Sequence, residues 1–464
     1  MIRILEVLVS LLIVLLLAVV VAVFLPAHGH IERSVEVSSP LRQVYDSLNT
    51  FRRFPEWSAL RRLDPRVQMN FQGPESGEGA EVVWTSGSPK VGDGDLTITS
   101  STQDSEIRMG IDNQWSGMNK AYTVTLAPTH GGKTVKITWA YDVDYGWNLL
   151  WRYAGLYIYG DPATHIQVSL NNVAAMLASF PNVDYKDQPI SLTDVTRKPI
   201  FLVATRAPRT LDAVAEATEA AMNQIEAALK KTGLAKAGPR MTITTNWGDE
   251  NYVFDVAVPV DATTFKIGDK ELTITVPVMD EAGNSATETS ATSDQEVPPP
   301  EAPNSLKPGV RDEDGYLVVD GNVRALLWYQ GKALVTDYTG NPAALPLLRR
   351  MEKAYAETHG YPYGEFDEGR FWDELTSPPD TPEDQQTYKV YLPVQIAATD
   401  ASGRILPDAT SPPAQGSPPA NGGDAQPANG TATPPDQGDN PSTEDGSPPA
   451  NGDGSDESGG GTPG

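Results

Sequence analysis

The sequence predicts an α+β protein carried on one N-terminal transmembrane helix, with two folded units and a disordered tail. Three observations predict it. Leu5–Leu25 reads LEVLVSLLIVLLLAVVVAVFL, with Glu6 its one charge. Residues 30–181 run strand, short amphipathic helix, several strands of period two, long helix. Residues 198–396 run strand, helix, strand, strand, twice over.

About 20 apolar residues suffice to cross a hydrocarbon core as a helix. The competing reading is a cleaved signal peptide, which needs a shorter apolar region and a small-x-small site. Phe24-Leu25-Pro26-Ala27-His28 supplies Ala27 but no small residue at 25. Residues 1–28 therefore read as an uncleaved, single-pass anchor. Arg3 precedes the span while Arg33 and Arg42 follow it, so the count of basic residues does not fix the orientation. A leading tail of a few residues favours the rest of the chain outside the cytoplasm. We expect the periplasmic face of a bacterial inner membrane.

The 464 residues exceed one ordinary domain. The absence of cysteine excludes disulfides, thiolate metal sites and cysteine nucleophiles. A net charge of −26 is repelled by phosphate backbones, so no nucleic-acid partner is expected. The tail, 400–464, repeats Pro-Pro-Ala-Asn-Gly at 418–422 and 448–452 and has almost no large apolar residues. Such a segment cannot offset its ordering entropy by burial, so disorder is expected. Residues 280–315, acidic and rich in proline, read as a linker or inserted loop, and a further break falls at 182–198.

In the first unit, IERSVEV opens as a strand, and Ser39 with Pro40 reads as an N-cap followed by proline at the first helical position. Val135, Ile137, Trp139 and Tyr141 alternate with polar neighbours, and His130-Gly131-Gly132 turns into that strand from the previous one. Asp161 reads as the cap of the last helix, whose stripe is Ile166, Leu170, Val173, Leu177 and Phe180. Phe51-Arg-Arg-Phe-Pro-Glu-Trp-Ser58, Gly73-Pro-Glu-Ser-Gly-Glu-Gly-Ala80 before Val82-Val-Trp84, Val91-Gly-Asp-Gly94 and Val135-Lys-Ile-Thr-Trp139 are similar to segments of the polyketide cyclase/dehydrase branch of the START-like (SRPBCC) superfamily. The resemblance implies a helix-grip fold, in which a curved antiparallel sheet wraps a long C-terminal helix around a cavity for apolar guests.

In the second unit, Thr210 caps a helix that runs Leu211–Lys231 and stops at Gly233. Asn341 with Pro342 opens its counterpart, which stops at Gly360. Each half ends alike, in Val256-Ala-Val-Pro-Val260 and Val390-Tyr-Leu-Pro-Val394. Gly331-Lys-Ala-Leu-Val-Thr336, Glu357-Thr-His-Gly360 and Leu375-Thr-Ser-Pro-Pro-Asp-Thr-Pro382 resemble the gyrase-inhibitor-like family, also described as the AraC-type effector-binding domain. The resemblance implies a duplicated β-α-β-β module with a ligand-anchoring acid. Counting back from the Leu-Thr-x-Pro segment places Trp372 at the position of that acid, with Asp373 and Glu374 beside it. A shift of one residue reverses which of them faces the cavity.

No Gly-x-Ser-x-Gly, phosphate loop or dinucleotide fingerprint is present. The five histidines are scattered, so no metal or cofactor is expected. Aromatics are the better lead. Trp84, Trp115 and Trp139 read either as core or as lining of an apolar pocket in the first unit. Trp247, Tyr329, Tyr338, Trp372 and Tyr388 read as a cage for flat cations in the second, with Glu374 or Asp255 supplying negative charge. Trp147-Asn-Leu-Leu-Trp151-Arg-Tyr153 reads as a lid, a membrane-interface segment or a buried loop. The function expected is a membrane-anchored binding protein with two cavities for apolar or cationic amphiphilic small molecules. The alternatives are an enzyme of polyketide cyclase or hydrolase type, and a non-catalytic interaction scaffold.

Overall fold

Nothing interrupts the leading apolar run, so it forms one helix, α1 (Ile2–Phe24), with no proline or glycine inside. At 1.5 Å per residue it is about 35 Å long, which is long and apolar enough to span a membrane. The computed structural model describes residues 2–248, 250–277, 307–364, 370–378 and 380–395. The expected tail, and residues 280–306 of the acidic segment, lie outside the described residues.

The first unit comprises β1 (His28–Val37), α2 (Leu41–Leu48), α3 (Phe54–Trp57), α4 (Leu60–Leu63), β2 (Gln68–Gln72), β3 (Glu81–Thr85), β4 (Gly94–Thr102), β5 (Glu106–Asn113), β6 (Met118–Thr129), β7 (Thr134–Asp144), α5 (Leu149–Ala154) and α6 (Asp161–Ser179). Its strands form one antiparallel sheet in the order β1-β7-β6-β5-β4-β3-β2. Side chains of a strand alternate between faces. Val135, Ile137, Trp139, Tyr141 and Val143 of β7 are accordingly all buried. Against that face α6 lays Ile166, Leu170, Val173 and Leu177, the stripe expected from their spacing. Two expected caps differ. Pro40 itself occupies the N-cap of α2, and Ser39 instead donates to the Leu177 carbonyl at 3.5 Å. Gly160 occupies the N-cap of α6, so Asp161 sits inside the first turn, where its charge favours the helix dipole.

The second unit comprises β8 (Ser191–Val195), β9 (Pro199–Pro208), α7 (Leu211–Thr232), β10 (Arg240–Trp247), β11 (Asn251–Pro259), β12 (Thr264–Ile267), β13 (Lys270–Thr273), β14 (Leu317–Asp320), β15 (Val323–Leu327), β16 (Gly331–Thr339), α8 (Leu345–His359), β17 (Trp372–Leu375) and β18 (Thr387–Val394). Nine strands form one sheet in the order β14-β15-β9-β11-β10-β17-β18-β16-β8, and β12 and β13 pair separately. The four strands flanking the acidic segment, β12 to β15, were not expected; each spans four or five residues, too short for period two to register in sequence. The break at 182–198 is not a free linker. Val183 and Tyr185 are buried, and β8 pairs with β16 at the sheet edge.

Both long helices of this unit end as their glycines require. Gly233 and Gly360 have φ of 73° and 69°, a conformation that side chains with a Cβ rarely adopt. Thr210 accepts from the Ala213 N–H, and Asn341 from the Ala343 N–H, where a short turn of 3₁₀-helix precedes α8. Phe201, Val203, Phe254 and Val256 meet Ala221, Ile225 and Leu229 of α7. The two units pack on each other through the ends of α2 and α8. Arg53 pairs with the Glu357 carboxylate at 2.6 Å, Tyr361 donates to Glu75 at 3.0 Å, and Tyr185 donates to Asp46 at 2.9 Å.

Candidate functional site

Rings from five places in the first unit converge between sheet and α6. Phe54 and Trp57 come from α3, Trp84 from β3, Trp115 from the β5–β6 turn, Tyr122 from β6 and Trp139 from β7. Trp57 meets Trp139 edge-on at 5.7 Å, and Tyr122 meets Trp139 at 5.4 Å. Such contacts stabilise beyond the area they bury. The rings enclose a cavity of about 40 Å³. That holds roughly three water molecules, far less than a lipid needs. The roomy hollow expected from sequence is thus narrowed by the chain's own aromatics.

The lining is electrically quiet. It carries no carboxylate, and burial pulls the His165 imidazole below its usual value, which keeps it neutral. Its donors are left over. The Nε1 atoms of Trp57, Trp84 and Trp139 and the Ser58 hydroxyl oxygen are buried without a hydrogen-bond partner. An indole N–H only donates, and a buried donor without an acceptor costs about 1–3 kcal/mol. All four belong to residues that line the cavity, whose other polar members are Asn113, Tyr122, His165 and Ser169. Trp84, Trp115 and Trp139 are therefore lining as well as core. Sequence reading missed Phe54, Trp57, Tyr122 and His165, although Phe54 and Trp57 stand inside the Phe-Pro-Glu-Trp-Ser segment it singled out.

In the second unit the expected cage divides. Register places Trp372 opposite Ile243, Ile243 opposite Asp255, and Glu374 opposite Met241. Trp372, Glu374 and Asp255 thus share the sheet face turned away from α7 and α8. Tyr391 of β18 stacks on Trp372 at 4.6 Å and 9°, Trp328 stands perpendicular to it at 5.8 Å, and Tyr329 lies at 5.8 Å. Glu374 is buried, accepts from the Tyr391 hydroxyl at 3.4 Å, and has no ion-pair partner among the described residues. Asp255 does have one: Arg370 binds it at 2.9 Å. Of the two candidate acids, only Glu374 lacks an ion pair among the described residues, although Lys389 stands opposite it in the β17–β18 ladder.

Tyr338 and Tyr388 stack on each other on the opposite face, under α8 with Leu345 and Leu348. Trp247 is 40% exposed and packs on Tyr252, also on the helix side. Tyr338 and Tyr388 leave the cage because a pleated strand sends odd and even residues to opposite faces, and Trp247 leaves it because a register shift between Thr244 and Asn246 moves it to the side of Tyr252. Tyr391, three residues from Tyr388, takes the vacated place. Beneath α8 lies a separate polar cluster. Arg349 binds Asp373 and donates to the Tyr252 hydroxyl at 3.4 Å. Glu352 is fully buried with neither carboxyl oxygen partnered, and burial keeps it protonated well above the usual range. His28 and His30 each meet an aspartate across the β1–β7 ladder, Asp144 and Asp142. Among the described residues no three His, Asp or Glu side chains gather as metal ligands would.

No family model matches the chain, and no curated protein matches it. Among solved structures, norcoclaurine synthase from Thalictrum flavum, in complex with dopamine and hydroxybenzaldehyde, is 12% identical over 33% of this chain and 89% of its own, with a TM-score of 0.26. Ara h 8.0201 is 12% identical over 33% of this chain and 99% of its own, with a TM-score of 0.26. The EcmrR C-terminal domain is 8% identical over 45% of this chain and 98% of its own, with a TM-score of 0.29. At TM-scores this low the functional reading rests on the chain's own residues.

Proposed function

We infer that the protein is a membrane-anchored binder of small molecules with two chemically distinct sites. In this reading residues 30–181 form a START-like helix-grip module and residues 198–396 a duplicated effector-binding module. The α1 helix ties both to the outer face of a bacterial inner membrane. The observation that carries the reading is the ring-walled cavity between sheet and α6, which no carboxylate lines and among whose residues buried donors lack partners. Three indole N–H groups and a serine hydroxyl, closed off from the cavity as it stands, suit an uncharged flat guest with acceptor atoms, such as an aromatic ketone or quinone, once the surrounding rings shift. The guest enters as rings such as Trp115, half-buried and edge-on to His165 at 5.1 Å, give way.

The second site is read as a seat for a flat cation. Glu374 places a buried carboxyl without an ion pair among the described residues beside the stacked Trp372–Tyr391 pair, the combination that ion pairing and ring quadrupoles both favour. A guest that binds only the native state raises the melting temperature. Thermal-shift titration of the full chain in detergent tests both sites, using a neutral aromatic ketone series and a planar aromatic cation series. Saturable stabilisation by each class is expected. Flat response to both classes would refute the reading.

A further inference from the structure

Residues 147–159 carry a set of exposed apolar side chains that the proposed binding sites do not use. Trp147 is 85% exposed, Leu150 82%, Tyr157 75% and Tyr159 68%, and Phe24 at the end of α1 is 85% exposed. A soluble surface rarely gathers so many large apolar groups in one place. The segment is also fastened to α1. Arg152, itself buried, donates to the carbonyls of Val23 at 2.9 Å and Leu25 at 3.2 Å, and its guanidinium lies over the Trp147 ring at 5.2 Å. Tyr153 donates to the Ala18 carbonyl at 2.6 Å. Ala18 lies seven residues before Leu25, so about 10 Å down the helix axis.

We propose that residues 147–159 are a membrane-interface foot that lies in the headgroup layer beside α1 and seats the α6 end of the first cavity on the bilayer. The proposal rests on α1 spanning the membrane. Given that span, the contacts to Ala18, Val23 and Leu25 place the exposed rings at the depth where tryptophan and tyrosine are favoured. Tyr159 is two residues before α6, and His165, in the second turn of that helix, lines the cavity. A guest dissolved in lipid thus meets the cavity wall without crossing water. The attraction is apolar, since a chain of net charge −26 gains nothing from anionic headgroups.

The cysteine-free sequence makes the test direct. Single variants Leu11→Cys, Leu150→Cys and Lys133→Cys of the full chain carry an environment-sensitive dye in nanodiscs of brominated phosphatidylcholine. All three positions are exposed, so labelling leaves the fold intact. Lys133 ends the β6–β7 hairpin, about 30 Å from the His28 end of the sheet by strand rise. The expected result is quenching of about twofold or more at Leu150, strongest with bromine near the headgroups and unchanged by salt. Quenching at Leu11 alone, with Leu150 as dark to bromine as Lys133, would overturn the foot and keep the span. No quenching at Leu11 removes the span and the foot together.

Discussion

The two aromatic sites both leave indole donors unpartnered and differ in whether a carboxylate stands beside the rings. The first surrounds about 40 Å³ with neutral rings and spare donors. The second also leaves indole donors unpartnered, on Trp328 and Trp372, and adds beside them the Glu374 carboxylate, which accepts from Tyr391. Ring content alone therefore does not identify a guest, because aromatic walls hold any flat molecule. The carboxylate decides: rings and donors without one suit a neutral acceptor-bearing guest, and rings beside one suit a cation. The difference also separates neighbours along one strand. Asp373 and Glu374 are adjacent acids in β17, yet one is bound to Arg349 under α8 and the other accepts from Tyr391 on the opposite face.

The largest expected effect follows from that pair. Asp373→Asn leaves Arg349 buried without its anion, a loss of about 3–5 kcal/mol of stability, read by urea unfolding. Glu374→Gln changes stability by less than about 1 kcal/mol and weakens a planar cation by about tenfold or more. If the two variants are equally destabilising, Glu374 is structural and the comparison breaks. Next come Trp57→Phe, Trp84→Phe and Trp139→Phe, each of which removes one spare donor. At least one is expected to weaken the neutral ketone by about tenfold, the worth of one hydrogen bond, while the cation's affinity holds. Three unaffected affinities would show that the donors do not serve the guest.

A further effect, on pH dependence, lies at the contact between the units. Burial pushes the Asp46 carboxyl up to about 6, against a hydrogen bond from Tyr185 that pulls it down. The folded state therefore holds a proton that the unfolded chain releases at its ordinary value near 3.8. Between those values the native state binds more protons, so this group makes stability fall as pH rises. Asp46→Asn should flatten that fall and stabilise the protein at pH 7, by at most about 3 kcal/mol. Melting temperatures from pH 4 to 7 check it. An unchanged slope would place the Asp46 proton elsewhere.

Local signals made the helices legible. Thr210, Asn341, Gly233 and Gly360 act within one turn, and the stripe from Ile166 to Leu177 depends only on spacing. The outer strands β12 to β15 were not legible, because four or five residues carry too little period. The candidate site was legible in residue type and not in parity. Tyr338 and Tyr388 point under α8 while Tyr391 joins Trp372, and a four-residue strand such as β17 does not reveal its own face. Arg370 capturing Asp255 is a contact across 115 residues, and no local pattern encodes it.

Two-ligand calorimetry on the full chain tests the central claim most directly. Saturating neutral ketone is expected to leave the planar cation's affinity within about twofold, and Glu374→Gln to weaken the cation alone, by about tenfold or more. Mutual exclusion of the two guests, or loss of both on that one substitution, would contradict it.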